Sequence, residues 1–398
     1  MRIGWKHLVG FAILLALGGF LVAWSGLVSV AASSGHWPPV AWFLHFTMRQ
    51  AVDTQSMGIE PPAGLDDPHR VALGAAHFAS GCAPCHGAPG EPQSPIALEM
   101  TPHPPSLPPK IPSWEPRHLF WIVQHGVKFS GMPAWATQAR PDEVWSVVAF
   151  LLRLPELDAV GYRHLAYGLE AAGSADAGEA GLADLGEGPI ALVLANCARC
   201  HGRDGADTAG AGIPLIGGQN EPYLAATLRA YAERHRASGI MQPLARALDD
   251  EAIARLARHY ASRSRPTQHD RPPAEQGLLR HGETLARSGR PEQGIPPCTS
   301  CHGPPARYPH YPEIAGQDAG YIERQLELFR SGTRGGTPFA HLMLGFASRL
   351  TEADIRAAAA FYARMPPGTR VSEDEPRPMT PATAFAPSGT SAILPPRP

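Results

Sequence analysis

Six cysteines are present in 398 residues, and they fall into three pairs with one repeated spacing. The runs are Cys82-Ala-Pro-Cys85-His86, Cys197-Ala-Arg-Cys200-His201 and Cys298-Thr-Ser-Cys301-His302, and no cysteine is left over. Two thiols separated by two residues, with histidine next, form the attachment signature for covalently bound haem. The thiols add across the two vinyl groups on one side of the porphyrin. Two intervening residues let a single turn of chain present both sulfurs to one macrocycle edge, and the following imidazole then reaches the iron as its proximal ligand.

Other chemistries of paired cysteines fit less well. A zinc ribbon joins two such knuckles around one ion; three knuckles cannot pair evenly, and zinc does not require histidine directly after each. A redox dithiol needs a βαβ setting that these Gly- and Pro-rich flanks lack. A disulfide scaffold spreads its cysteines along a small chain. The expected cofactor is therefore three covalently attached haems c, with Cys82, Cys85, Cys197, Cys200, Cys298 and Cys301 as attachment points and His86, His201 and His302 as iron ligands.

The sixth iron position calls for a second axial ligand, and methionine sulfur is the one that raises the potential in electron-transfer haem proteins. Met132, Met241 and Met343 each lie downstream of a motif and just before a terminal helix. A lone methionine is commonly a core filler, but this placement recurs three times. In Ser130-Gly131-Met132-Pro133-Ala134-Trp135 the flanking glycine and proline suit a backbone held close to a flat cofactor. Met100 and His125 are rivals in the first unit, Met100 sitting close in sequence to Cys85-His86. His341 is a rival to Met343 in the third.

The elements that position these residues are expected to be helical. Pro 43 and Gly 41 with only 18% charged residues suggest small domains joined by irregular segments. Acidic or capping residues at Pro141-Asp142-Glu143, Asp249-Asp250-Glu251 and Thr351-Glu352-Ala353-Asp354 open the three terminal helices. The first of these carries Val144, Trp145, Val148 and Leu151 on one face. The second and third units repeat one another: Ile213-Pro214-Leu215-Ile216-Gly217-Gly218-Gln219 recurs as Tyr311-Pro312-Glu313-Ile314-Ala315-Gly316-Gln317, with Tyr223 and Tyr321 following.

At the N-terminus, Arg2 and Lys6 precede an uncharged apolar run from Leu8 to Ala32, long enough to span a bilayer and longer than a secretory h-region. Ser29-Val30-Ala31 keeps a cleavable signal open as the alternative; on either reading the downstream chain is exported. The aromatic stretch with Trp37, Trp42, Phe43 and Phe46 reads as a helix at the membrane surface, with His36 and His45 as interfacial residues. The divisions expected are an anchor and interfacial segment at 1–65, haem units at 66–160, 189–267 and 268–368, a flexible linker at 161–188, and a disordered Pro-rich tail at 369–398. A formal net charge of −2 announces no nucleic-acid partner.

These residues resemble a known family. Each unit is similar to a class I cytochrome c, and the second and third together resemble the dihaem cytochrome c4 group. The resemblance rests on Cys200-His201-Gly202-Arg203-Asp204-Gly205, on the turns ending at Gln219 and Gln317, and on Gly294-Ile295-Pro296-Pro297-Cys298. The first unit resembles single-haem domains of membrane-anchored respiratory cytochromes at Gly131-Met132-Pro133-Ala134-Trp135. The third unit departs from the pattern at Pro304-Pro305-Ala306-Arg307. The resemblance implies an all-α fold, a transmembrane helix followed by three cytochrome c domains, in an electron carrier rather than an enzyme. It would sit at the inner membrane with its haem domains in the periplasm, passing single electrons between redox partner proteins such as an oxidase or a dehydrogenase. A multihaem peroxidase and the cytochrome subunit of a membrane-bound dehydrogenase are the alternatives.

Overall fold

The computed structural model describes residues 4–167, 189–206, 212–265, 275–303 and 308–367. The described residues are helical and contain no strand beyond two isolated bridges. The principal helices are α1 (Trp5–Trp24), α2 (Pro38–Gln55), α3 (Pro68–Gly81), α4 (Pro116–His125), α5 (Pro141–Arg153), α6 (Ala159–Tyr167), α7 (Pro189–His201), α8 (Glu221–Ala232), α9 (Met241–Arg246), α10 (Asp250–Ala261), α11 (Gln276–Ser288), α12 (Ala319–Arg330), α13 (Ala340–Ala347) and α14 (Glu352–Arg364).

Helix α1 is 20 residues long with a mean hydropathy of 2.1, enough to cross a membrane by length and composition, and none of it is buried in the protein. It stops at Trp24, short of the end of the apolar run, where Gly26 turns the chain at φ 68°. Helix α2 leaves Trp37, Trp42, Phe43 and Phe46 exposed, with the Trp42 and Phe46 rings stacked at 5.6 Å. Its far end is fastened to the first unit. Asp53 receives Arg117 at 3.3 Å and His118 at 3.2 Å, and the Arg49 guanidinium lies 4.3 Å from the centre of the Trp114 ring.

Each unit is built on one plan: an opening helix leads into the Cys-x-x-Cys-His turn, and a closing helix packs against it. In the first unit α3 meets α5 at Gly74, where a Cβ would run into the Ser146 carbonyl and Phe150. Gly282 fills the same role between α11 and α14, against the Ala357 carbonyl and Phe361. In the second unit Leu194 packs with Leu256, Ala257 and Tyr260. The caps read from sequence are present. Asp249 accepts from the Ala252 N–H at 2.8 Å, and Thr351 and Asp354 form a reciprocal capping box.

Three differences from the sequence reading follow from packing. Helix α5 has no solvent face through its middle: Val147, Ala149 and Phe150 are as buried as Val144 and Val148, since further elements cover its far side. The first unit reaches past residue 160 to Tyr167, because Tyr162 is fully buried against Phe78 and Phe150 and Tyr167 donates to Glu91. Residues 161–167 are therefore helix where linker was expected; the rest of that stretch, the 369–398 tail and Pro304–Arg307 lie outside the described residues. Finally, the first unit packs directly on the second: Leu73 and Ala76 of α3 cluster with Ile213 and Cys200.

Candidate haem sites

All six cysteines are half-buried and none is joined in a disulfide. Burial pushes the Cys82 thiol up to about 12 and those of Cys197 and Cys298 up to about 11. Among the described residues no group of three or more His, Cys, Asp or Glu side chains is arranged to hold a metal ion.

The three histidines share an orienting contact. His86 Nδ1 lies 2.9 Å from the Pro105 carbonyl, His201 Nδ1 3.0 Å from that of Pro214, and His302 Nδ1 2.9 Å from that of Pro312. A carbonyl oxygen can only accept, so the proton sits on Nδ1 and Nε2 keeps its lone pair. Such a hydrogen bond fixes the ring and raises its basicity toward a metal. Burial lowers the pKa of all three imidazoles, which keeps them neutral. The sequence reading missed these prolines. Their mark was there in His-Pro-Pro, Ile-Pro-Leu and Tyr-Pro-Glu, but the acting group is a main-chain carbonyl with no residue-type signature.

The second and third motifs open onto one cavity of about 570 Å³. Its walls include Cys197, Cys200, His201 and Met241 from one unit and Cys298, Cys301, His302 and Met343 from the other. Both methionines therefore face the cavity that holds the histidines. His341, the rival to Met343, is exposed. In the first unit Met132 is half-buried and His125 is exposed. Met100 lies against Gly131, beside Met132, its methyl occupying the space a Cβ would need. Two sulfurs thus approach from neighbouring positions. Met132→Ala is expected to abolish the Met–iron charge-transfer absorption of one centre, while Met100→Ala leaves it; the reverse result would reassign the ligand.

Across the cavity the two units are joined by a near two-fold set of contacts. Gln219 Nε2 donates to the Glu313 carbonyl while its Oε1 accepts from the Glu313 N–H, both at 2.9 Å. Gln317 does the same to Leu215, again at 2.9 Å in both bonds. Arg236 reaches Tyr321 at 3.3 Å and Gln325 at 3.0 Å, and Arg334 reaches Tyr223 at 2.9 Å. Each arginine stacks on an aromatic ring of its own unit, Tyr231 for Arg236 and Phe329 for Arg334.

Arg236 is 4% exposed and Arg334 8%, and neither has a carboxylate partner among the described residues. Buried cations without counter-charge are costly. Their field is visible at Tyr223: burial alone would raise its pKa, but Arg334 and Arg236 bring it down to about 8. A planar apolar ligand bearing carboxylates fits this site on every count. Its macrocycle suits the wall of Leu, Ile and Pro side chains, its acid groups neutralise the arginines, and its iron meets nitrogen and sulfur ligands. Haem c has those features.

Comparison with known proteins agrees. The family described as cytochrome C oxidase, cbb3-type, subunit III matches residues 69–151 and 187–259. A thiosulfate dehydrogenase electron acceptor of Thiomonas intermedia is 37% identical over 174 residues, covering 43% of this chain and 79% of the relative. Cytochrome c4 of Pseudomonas aeruginosa is 32% identical, covering 48% of this chain and 88% of the relative. A solved cytochrome c4 from Acidithiobacillus ferrooxidans is 32% identical over 43% of this chain and 98% of its own, with a TM-score of 0.39. The sequence identity to the Thiomonas and Pseudomonas relatives, over most of their own length, shows the family: the chain belongs to the class I c-type cytochromes, electron-transfer proteins carrying covalently bound haem c.

Proposed function

We propose that this chain is a three-haem electron relay anchored in the inner membrane, with its haem units in the periplasm. Haem c would be held by Cys82 and Cys85 with His86 and Met132, by Cys197 and Cys200 with His201 and Met241, and by Cys298 and Cys301 with His302 and Met343. The carrying observation is the threefold recurrence of one arrangement: two half-buried thiols, then an imidazole turned by a proline carbonyl.

Bound haem supplies a one-electron iron couple. The residues of the chain do the rest. Nδ1–H bonds hold each imidazole in one tautomer, so the same Nε2 lone pair would be presented to the iron in both oxidation states. With a histidine and a methionine both given to the iron, no position would stay open for peroxide, which favours carrying electrons. The apolar walls exclude water, and Arg236 and Arg334 raise the potential of nearby iron by favouring the state with less positive charge.

The first unit would lie nearest the membrane, since α2 is fastened to it through Asp53, Arg117 and His118. A dehydrogenase and a terminal oxidase are the partner classes that suit such a relay. The relative named as an electron acceptor for thiosulfate dehydrogenase favours a dehydrogenase as donor. Mass analysis of the exported protein is expected to show three added macrocycles. Fewer than three, or a membrane-free mature chain, would overturn the proposal. Co-purification from membranes, followed by asking whether the bound partner reduces or oxidises the haems, would fix the direction of flow.

A further inference from the structure

The segment that opens α5 is packed against the second unit as well as its own. Glu143 is 5% exposed. Its Oε1 accepts from the Ser238 hydroxyl at 2.8 Å, and its Oε2 accepts from the Gly239 N–H at 2.6 Å and from the Trp135 indole N–H at 3.2 Å. Arg140 pairs with Glu143 at 3.0 Å and donates to the Ala237 carbonyl at 3.0 Å. Asp142 holds the other side of the same guanidinium at 2.8 Å.

The positions joined are telling. Trp135 lies three residues after Met132. Gly239 lies two before Met241, and the Ser238 hydroxyl that donates to Glu143 also accepts from the Met241 N–H at 3.1 Å. One buried carboxylate therefore ties the methionine loop of the first unit to that of the second. Gly239 is suited to this place because the Trp135 indole occupies the space its Cβ would fill.

A second contact runs alongside. Helix α3 delivers Cys82 at its C-terminal end, while Leu73 and Ala76 on its outer face meet Ile213 and Cys200. The same helix thus touches the attachment thiols of both sites. His77, held neutral by burial with its pKa lowered to about 3, fills the seam with its ring 6.4 Å from that of Trp135.

We propose that Glu143 is a positioning residue that locks the first two methionine loops into one rigid seam, across which electrons pass directly between the first and second haem sites. The exchange is one electron: ferrous iron at one site becomes ferric as ferric iron at the other becomes ferrous, and no bond or proton moves. The inference rests on the haem assignment above, but its docking half is independent of it.

The test uses the full chain with a protease site inserted between Tyr167 and Pro189. After cleavage the two parts of the native protein are expected to co-elute on size exclusion, and those of Glu143→Ala to separate. Leaving the Ser238 hydroxyl and the Gly239 N–H without their acceptor should lower the docked-to-undocked ratio by about tenfold or more. In the uncut protein, photoreduction should show electron equilibration between the first and second centres slowed in step with the loss of docking. Glu143→Gln keeps an acceptor oxygen and should recover part of both. Trp135→Phe removes only the indole donor and serves if Glu143→Ala does not fold. Separation of the native parts, or native equilibration in a fully haem-loaded Glu143→Ala, would overturn the seam. A native chain with fewer than three haems would instead count against the proposed function, with the co-elution result still standing.

Discussion

Replacing Cys197 and Cys200 together with alanine is expected to lower the haem content from three to two and to collapse the second unit while the first keeps its spectrum. The cavity between the second and third units measures about 570 Å³ and is lined by side chains such as Ile213, Leu215, Leu224, Ile240 and Leu256. At about 24 cal/mol per Å³ of unfilled apolar space, leaving even roughly 100 Å³ of it empty costs about 2 kcal/mol. That is a sizeable part of the about 5–15 kcal/mol that holds a domain folded. The macrocycle is thus core as well as cofactor. The third unit should weaken too, because it shares the cavity wall and the crossed Gln219–Glu313 and Gln317–Leu215 bonds. Mass analysis counts the haems, and helical circular dichroism against denaturant reads the collapse. Retention of three haems would refute the attachment, and native-like unfolding would refute the structural role.

Replacing Arg236 and Arg334 with glutamine is expected to lower the midpoint potentials of two centres and leave the third unchanged. The two guanidiniums are buried, face one cavity and carry no carboxylate partner among the described residues. Reduction removes one positive charge from the haem, so a nearby fixed cation favours the reduced state. One unit charge at about 10 Å is worth about 1–2 kcal/mol at the effective dielectric of protein sites. For a one-electron couple that is roughly 40–90 mV per arginine. Glutamine keeps hydrogen-bonding capacity toward Tyr321 and Tyr223, so the fold should tolerate the change better than alanine. Tyr223 supplies a second readout: with the cations gone, its pKa should rise from about 8. A potentiometric titration with all three midpoints unmoved would mean that these arginines answer some group other than the haem acids.

Much of the chemistry could be read before any coordinates. Covalent attachment is a property of side-chain types at a local spacing, so three Cys-x-x-Cys-His runs announce it directly. Helix caps are equally local: Asp249 and Thr351 each cap the backbone N–H three residues on, and the order of residues alone implies it. The repeat of the second and third units was visible because the same turn, ending at Gln219 and Gln317, was used twice.

What the chain order could not reveal are contacts whose partners lie far apart or whose active group is the main chain. Pro105, Pro214 and Pro312 orient the histidines through carbonyl oxygens that every residue possesses. Gln219 and Gln317 looked like turn residues, yet each pairs with the backbone of the opposite unit. Arg236 and Arg334 carry no motif in the chain order; the fold crosses them over a shared cavity. Asp142 and Glu143 were legible as helix-opening acids, a role any exposed first turn would suit. Only the docking of the first unit on the second turned Glu143 into a buried tie between Trp135, Ser238 and Gly239. Local spacing therefore determined what this protein binds, and tertiary packing decided how its sites are joined. The physical reason is that a covalent motif needs neighbours in sequence, whereas burial and charge pairing need only neighbours in space.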